Sequence, residues 1–355
     1  MDTRLLRNCP AYVLDRQTAP AMWLVETLWL FYATAAQTNN RFSLLEQVMG
    51  GGVGPPAHRH PLAIENFVVL EGVVVFRIDG RSVRAGPGTF LHIPRMKPHI
   101  FTVETAETWV LNFYAPAGNE LNVMGLARPA EERRRPSMEE GPLPAGTDYI
   151  EITAQLYGSH PVAALPFGAK PSDALIDTPA DAWAVGDTHA ASAADAPTVE
   201  AFGVRWRVLA DSRDTELDYD LLDALVPERA GTPRRVLGAD EAIYVRAGIV
   251  SVEIDETSTE IGVGSFAYTP AGSRCSWHAQ TGGAHVLVFH IPGGFDRALA
   301  NGRGEDALVQ AWDEARRNPV SAATGVPHAR SPAPTRGQSR HRVNPDEQAP
   351  WSPTC

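Results

Sequence analysis

The stretch VLEGVVVFRIDGRSVRAGPGTFLHIPRMKPH, residues 69–99, recurs as VRAGIVSVEIDETSTEIGVGSFAYTPAGSRC, residues 245–275. The two copies align without a gap at Gly72 with Gly248, Gly88 with Gly264 and Pro94 with Pro270, and four residues upstream Glu65 aligns with Glu241. Self-similarity on this scale indicates that one structural unit occurs twice in the chain.

Each copy consists of short apolar or alternating runs separated by glycine and proline. This pattern is typical of many short β-strands rather than helices. Asp79-Gly80 lies between two such runs and predicts a tight hairpin, because both positions of a two-residue turn favour positive φ. Evenly spaced strands of this kind predict an all-β fold of two antiparallel barrels or jelly rolls.

The remaining segments differ in composition from the two predicted barrels. Two peripheral helices are expected, over 148–158 and over 304–319, where Arg316 and Arg317 fall in the last turn and Pro319 ends the helix. Residues 189–199, HAASAADAPTV, have the low complexity of a linker. The predicted domains are a first barrel over 1–145, a linker with a short helix over 146–200, a second barrel with a helix over 201–317 and a disordered tail over 318–355.

Charge and composition exclude several functional classes. The formal net charge is −11, so neither nucleic acid nor an anionic membrane surface is a predicted partner. No run approaches the 18 or so apolar residues that a membrane-spanning helix needs. The three cysteines, Cys9, Cys275 and Cys355, lie far apart, which favours a reducing compartment over a disulfide framework. We therefore expect a cytoplasmic protein.

The stretch PPAHRHPLAIENFVVLEG, residues 55–72, carries the candidate chemistry. Alternate residues of a strand share a face, so His58 and His60 would point the same way. Glu65 opens the next predicted strand, and His99 follows the strand that ends at Pro94. Three imidazoles and one carboxylate suit one divalent transition metal, Fe, Mn, Co, Ni, Cu or Zn. The alternative is that these histidines are ordinary hydrogen-bonded or exposed strand residues.

The spacing of these residues resembles that of the cupin superfamily. Its first motif is matched by Gly52, His58, His60, Glu65 and Gly72, and its second by Gly88, Pro94 and His99. Met96 stands where the family usually has glycine and Val103 where it often has asparagine, but neither position is a ligand. The resemblance extends over both copies and implies a bicupin whose first barrel binds the metal through His58, His60, Glu65 and His99.

The second copy lacks most of the candidate ligands. In the gap-free alignment Arg234 replaces His58, Val236 replaces His60 and Cys275 replaces His99. Only Glu241 remains, so no metal is expected there. We expect Arg234 to neutralise Glu241, the alternative being a solvent-exposed glutamate without a partner. The other histidines are expected to be structural or on the surface, namely His92, His160, His189, His278, His285 and His290.

Within the superfamily, the duplication and the four residues between His60 and Glu65 are most similar to quercetin 2,3-dioxygenases. This resemblance implies a dioxygenase that opens a flavonol-like aromatic substrate with O2 and releases carbon monoxide. It also implies that Glu65 is catalytic, both ligating the metal and accepting the proton of the substrate hydroxyl, for which its pKa would have to be raised.

Other functions remain open on the sequence alone. Cupins of similar build act as cyclases, isomerases or tailoring oxygenases on aromatic polyketides, and others are non-catalytic binding or storage proteins. A small aromatic substrate suits both enzymatic alternatives. A monomer or a homodimer is equally compatible with a duplicated chain.

Overall fold

The structure is a computed structural model that describes residues 9–78, 81–141 and 188–300, together with the backbone of 160–161. Short antiparallel strands make up most of these residues, as the alternation of apolar and polar residues predicts. They form three sheets, and the sheets form two barrels.

The first barrel consists of two sheets. Across the larger sheet the strands are Arg128–Pro129 (β12), Ala21–Leu24 (β2), Thr27–Ala33 (β3), Ser43–Gly50 (β4), Glu107–Ala115 (β11), Ile64–Glu71 (β6), Thr89–Ile93 (β9) and His189–Ser192 (β14). Across the smaller sheet they are His160–Pro161 (β13), His58–Arg59 (β5), His99–Val103 (β10), Val74–Ile78 (β7) and Arg81–Ala85 (β8). Phe67, Phe76 and Phe101 fill the space between the two sheets.

The second barrel is one large sheet that closes through its two longest strands. Its path runs through Tyr12–Leu14 (β1), Phe266–Thr269 (β21), Asp240–Ile254 (β19), Arg274–Ile291 (β22), Asp220–Val226 (β17), Val204–Ala210 (β16) and Thr198–Ala201 (β15). Gly231–Val236 (β18) pairs with β22, and Thr257–Ile261 (β20) pairs with β19. Trp206, Trp277 and Ile243 belong to its core.

Each barrel is completed by a strand that precedes the other barrel in the chain. β1 comes before the first barrel but pairs with β21 of the second, placing Tyr12 opposite Tyr268. β14 comes before the second barrel but pairs with β9 of the first, placing His189 opposite His92. The two halves are therefore interlocked by a reciprocal exchange of strands.

This exchange corrects the prediction that 189–199 is a plain linker. Its first four residues form β14, and its last two begin β15. The small side chains of Ala190 and Ala191 are buried, which allows close packing against the first barrel but gives the segment a linker-like composition. The four predicted domain boundaries themselves stay predictions.

An aromatic layer joins the barrels. Phe113 of β11 stacks near Phe289 of β22 and meets Tyr219 edge-on, and Phe42 packs against Tyr268. Arg16, from the loop after β1, forms an ion pair with the buried Glu46 of β4. The interface thus combines a large apolar area with paired charges, as in the core of a single domain.

Helices are few and short among the described residues. They comprise Ala35–Thr38 (α1), Glu120–Leu126 (α2) and Phe295–Ala300 (α3). Among the helices of the described residues, none combines the length and apolar character that crossing a bilayer requires. The helices predicted over 148–158 and 304–319 and the tail over 318–355 lie outside the described residues. So does the turn Asp79-Gly80, although Ile78 and Arg81 on either side of it are paired as a hairpin requires.

Candidate metal centre

Three structural segments bring the candidate ligands to one end of the first barrel. His58 of β5 pairs directly with His99 of β10 in the smaller sheet. Glu65 lies in β6 of the larger sheet, and His60 follows β5 immediately. The side chains meet between the two sheets because each points to the interior, as the alternation of His58 and His60 predicts.

The four side chains form a tight cluster. One ligand atom from each lies within 4.8 Å of the others. Oε2 of Glu65 is 2.8 Å from Nε2 of His99 and 3.1 Å from Nε2 of His60, which is itself 3.1 Å from Nε2 of His58. Glu65, His60 and His99 are buried, and His58 is half-buried. The structure therefore assembles all four predicted residues into a group that could hold a metal ion.

Backbone carbonyls set the orientation of two imidazoles. Nδ1 of His58 lies 2.8 Å from the carbonyl oxygen of Pro56, and Nδ1 of His99 lies 2.9 Å from that of Lys97. A proton on each Nδ1 would donate to these carbonyls and leave Nε2 of each ring facing the cluster as the atom available to a metal. Metal-binding histidines are commonly held by this arrangement.

The protonation states also suit a cation. Burial and the neighbouring imidazoles lower the pKa of His58 to about 3, so that its ring is neutral. Burial would raise the pKa of Glu65, but His60 and His99 outweigh it and hold that pKa well below its usual value. The raised pKa expected for a proton-accepting Glu65 is therefore wrong for this arrangement. The lowered pKa keeps the carboxylate of Glu65 charged, which is the form that binds a divalent metal.

Two residues that the sequence analysis missed hold the other oxygen of Glu65. The Tyr114 hydroxyl donates to Oε1 at 2.6 Å, and Nδ2 of Asn112 donates to it at 3.1 Å. Both lie on the inward face of β11, at alternate positions of the run VLNFYA. That alternation was the available signal, since two polar side chains on the buried face of an apolar strand require partners.

A cavity of about 200 Å³ opens beside the cluster. His58, His60, Glu65 and Tyr114 form its polar end. Most of its remaining lining is apolar and includes Leu24, Val25, Met49, Val53, Phe101 and Val123. Val123 belongs to α2, so this helix covers part of the cavity.

The second barrel has an arginine where the first has the candidate ligand His58, but it is not Arg234. Arg235 pairs with Cys275 across β18 and β22, as His58 pairs with His99 in the first barrel. The loop before Glu241 is one residue shorter than the loop before Glu65, which the gap-free alignment had concealed. Arg234 is half-exposed and forms an ion pair with Glu253 instead. The prediction that Arg234 neutralises Glu241 is wrong, and Arg235 takes that place.

Glu241 lies in a buried network of charges. Arg235 forms an ion pair with Oε2 of Glu241, and Nε2 of His290 lies 3.1 Å from the same oxygen. Nδ1 of His290 lies 2.7 Å from Oδ1 of Asp220. Arg235 and His290 hold the pKa of Glu241 at about 2 despite its burial, and the two carboxylates raise the pKa of His290 to about 9. The alternative of a solvent-exposed Glu241 is therefore also wrong.

Cys275 lies within this network. Burial, together with the charge of Glu241, raises the pKa of the Cys275 thiol to about 12. The thiol therefore stays protonated near neutral pH, which opposes reactivity. The absence of a metal from this barrel stays a prediction.

Comparisons with known proteins agree with this architecture. Residues 44–113 match the family described as Cupin domain. Over 114 residues the chain is 25% identical to a quercetin 2,3-dioxygenase from Bacillus subtilis (strain 168), a match that covers 32% of this chain and 34% of the relative. The match thus spans about a third of the length of that curated relative.

Two solved structures resemble the whole double barrel. The protein YlbA from E. coli has a TM-score of 0.53 at 8% identity, covering 82% of this chain and 95% of its own. Oxalate decarboxylase from Bacillus subtilis has a TM-score of 0.51 at 12% identity, covering 79% of this chain and 76% of its own. At identities this low the similarity concerns the fold alone. The two structures confirm the prediction of an all-β duplicated fold.

Proposed function

Because this chain is a bicupin of the cupin superfamily, we propose that its first barrel is a metal-dependent dioxygenase that cleaves a flavonol-like polyphenol with O2. The observation that carries this proposal is the cluster of His58, His60, Glu65 and His99 beside a cavity whose remaining lining is mostly apolar. The partial similarity to a quercetin 2,3-dioxygenase supports the reaction class.

The donor set fits one divalent transition metal. Three imidazole nitrogens and one carboxylate oxygen favour Fe, Mn, Co, Ni, Cu or Zn over calcium or magnesium. Such a metal would supply Lewis-acid or redox chemistry at coordination positions that the protein leaves open. His58 and His99 are already turned for binding by the carbonyls of Pro56 and Lys97, so little reorganisation is needed.

The lining of the cavity favours an aromatic substrate. Among the described residues that line it, none is lysine or arginine, so a small dicarboxylate such as oxalate would find no counter-charge besides the metal. Apolar side chains such as Met49, Phe101 and Val123 instead suit the faces of a flat ring system. A substrate hydroxyl would then be directed to the end of the cavity that His58, His60, Glu65 and Tyr114 line.

The sequence also allows a cyclase, isomerase or tailoring oxygenase acting on an aromatic polyketide. That alternative would use the same cluster and a substrate of similar shape. The two reactions differ in their products, because only cleavage of the flavonol heterocycle releases carbon monoxide, whereas a tailoring oxygenase also consumes O2. A non-catalytic binding or storage protein would do neither.

The test combines elemental analysis with turnover. We expect about one transition metal per chain, which the double variant His58→Ala with His60→Ala should lose. With flavonols we expect O2 uptake, measured in an oxygen electrode, together with release of carbon monoxide. The second-barrel variant Arg234→Met, which alters an exposed ion pair, is the matched control and should keep both metal and turnover. Metal without flavonol turnover would refute the dioxygenase and favour the polyketide alternative, and unchanged metal in the double variant would refute the site.

A further inference from the structure

We propose that Tyr114, Asn112 and Gln47 are positioning residues that restrict Glu65 to binding the metal through one oxygen, Oε2. This inference rests on the proposed metal site and adds to it how the carboxylate is held. The three side chains form a polar row on the inner face of β11 and β4, starting at Glu65 and ending at the cavity wall.

The two oxygens of Glu65 have separate surroundings. Oε1 accepts hydrogen bonds from the Tyr114 hydroxyl at 2.6 Å and from Asn112 Nδ2 at 3.1 Å. Oε2 faces the imidazoles, at 2.8 Å from His99 and 3.1 Å from His60. Hydrogen bonds to a carboxylate are charge-assisted and stronger than neutral ones. Binding a metal through both oxygens would disturb both donors, so the arrangement favours Oε2 alone.

Asn112 is itself held in place. Nε2 of Gln47 donates to Oδ1 of Asn112 at 3.0 Å, which fixes the amide so that its Nδ2 faces Glu65. That Nδ2 also lies 3.2 Å from the backbone oxygen of Asn66. Asn112 and Gln47 are both buried, so neither amide can exchange its partners for bulk water without a local rearrangement. Gln47 also lines the cavity and connects the row to that space.

The second barrel provides an internal comparison. In the first barrel Asn112 lies opposite Leu45, and in the second Val288 lies opposite Leu222. Likewise Gln47 lies opposite Val110 in the first barrel, and Ala224 lies opposite Val286 in the second. The barrel without the histidine cluster therefore has valine and alanine where the first has Asn112 and Gln47. Its counterpart of Tyr114 is His290, which faces Glu241.

This difference indicates a function for the two amides. In the second barrel the corresponding strands form a buried core with apolar side chains at these positions, so the fold does not require amides there. Burying an amide is unfavourable unless it is fully hydrogen-bonded. The two amides are present in the barrel whose glutamate lies among the imidazoles, where Asn112 donates to that glutamate and Gln47 donates to Asn112. Their role is thus to orient Glu65 rather than to stabilise the barrel.

The experiment measures metal binding by the full-length protein with Co(II) as the probe. Its visible spectrum reports the coordination number, and competition with a chelator gives the dissociation constant. The variants are Tyr114→Phe, Asn112→Val, which copies the second barrel, and the two combined. We expect the Co(II) affinity to fall about 10- to 100-fold in the combined variant, with a spectrum that indicates a changed coordination number.

Tyr32→Phe is the matched control, because the Tyr32 hydroxyl also donates to a buried glutamate, Glu46, at 2.8 Å but away from the cluster. It should keep the wild-type Co(II) affinity and spectrum. A folded Tyr114→Phe or Asn112→Val variant with wild-type affinity and spectrum would overturn the inference alone. If the combined variant does not fold, Tyr114→Phe, which keeps the ring, decides. A wild-type protein that binds no Co(II) would overturn the proposed function and this inference together.

Discussion

Replacing Arg235 with methionine should destabilise the protein strongly although the residue lies in the second barrel, outside the histidine cluster. The Arg235 and Glu241 side chains are each 1% exposed, so the substitution leaves a buried carboxylate with His290 as its remaining charged partner. His290 is shared with Asp220 and cannot compensate Glu241 fully. Removing one partner of a buried ion pair typically costs about 3–5 kcal/mol, and we expect the free energy of unfolding to fall by that amount.

Urea denaturation of Arg235→Met measures this loss, and Arg234→Met is the control. Arg234 is 50% exposed and pairs with a half-exposed Glu253, so its replacement should cost about 0–1 kcal/mol. The unfolding midpoint should shift much further for Arg235→Met while the slope against urea stays the same. Equal losses in the two variants would show that Glu241 does not depend on Arg235, and the reasoning from the buried network would fail.

Three further outcomes follow from the same structure. The pKa of His290 is raised to about 9, so the contribution of His290 to stability is complete below about pH 6.5 and is lost as pH rises to 9. The urea midpoint of the wild-type protein should therefore fall more between about pH 6.5 and 9 than the midpoint of His290→Gln. Deleting residues 1–14 removes the pairing of β1 with β21 and should lower the thermal midpoint; an unchanged midpoint would mean that the exchanged strand adds no stability. Cys275, whose thiol pKa is raised to about 12, should resist alkylation near neutral pH in the folded protein and react in urea. Peptide mass spectrometry measures the alkylation, and rapid alkylation of the folded chain would contradict the burial of Cys275.

The sequence predicted the barrels and three of the four cluster residues because these depend on local information. Strand alternation and turn residues recur within short stretches, and the positions of His58, His60 and Glu65 follow from the period of two and the intervening turn. His99 depended on the motif rather than on periodicity. Its pairing with His58 is a contact between strands far apart in sequence.

What the sequence did not predict depends on long-range pairing. The single-residue difference in loop length before Glu241 moves the charge partner from Arg234 to Arg235, and only the register of β18 against β22 reveals it. The exchange of β1 and β14 involves strands of three and four residues, too short to carry a pattern of their own. Tyr114 and Asn112 were hidden because their partner, Glu65, lies on a neighbouring strand.

The exchanged strands suggest a structural role for the second barrel, which lacks the histidine cluster, in supporting the first barrel, which contains it. β14, which precedes the second barrel, covers β9, and β9 pairs on its other side with β6, the strand of Glu65. Tyr219 of the second half donates a hydrogen bond at 2.6 Å to Asn66, the residue next to Glu65. The second barrel therefore supports the strand that positions the carboxylate, whether or not it binds a ligand of its own. Tyr219→Phe, which removes the hydrogen bond to Asn66 on the strand of Glu65, should for this reason weaken Co(II) binding at a cluster that Tyr219 does not touch.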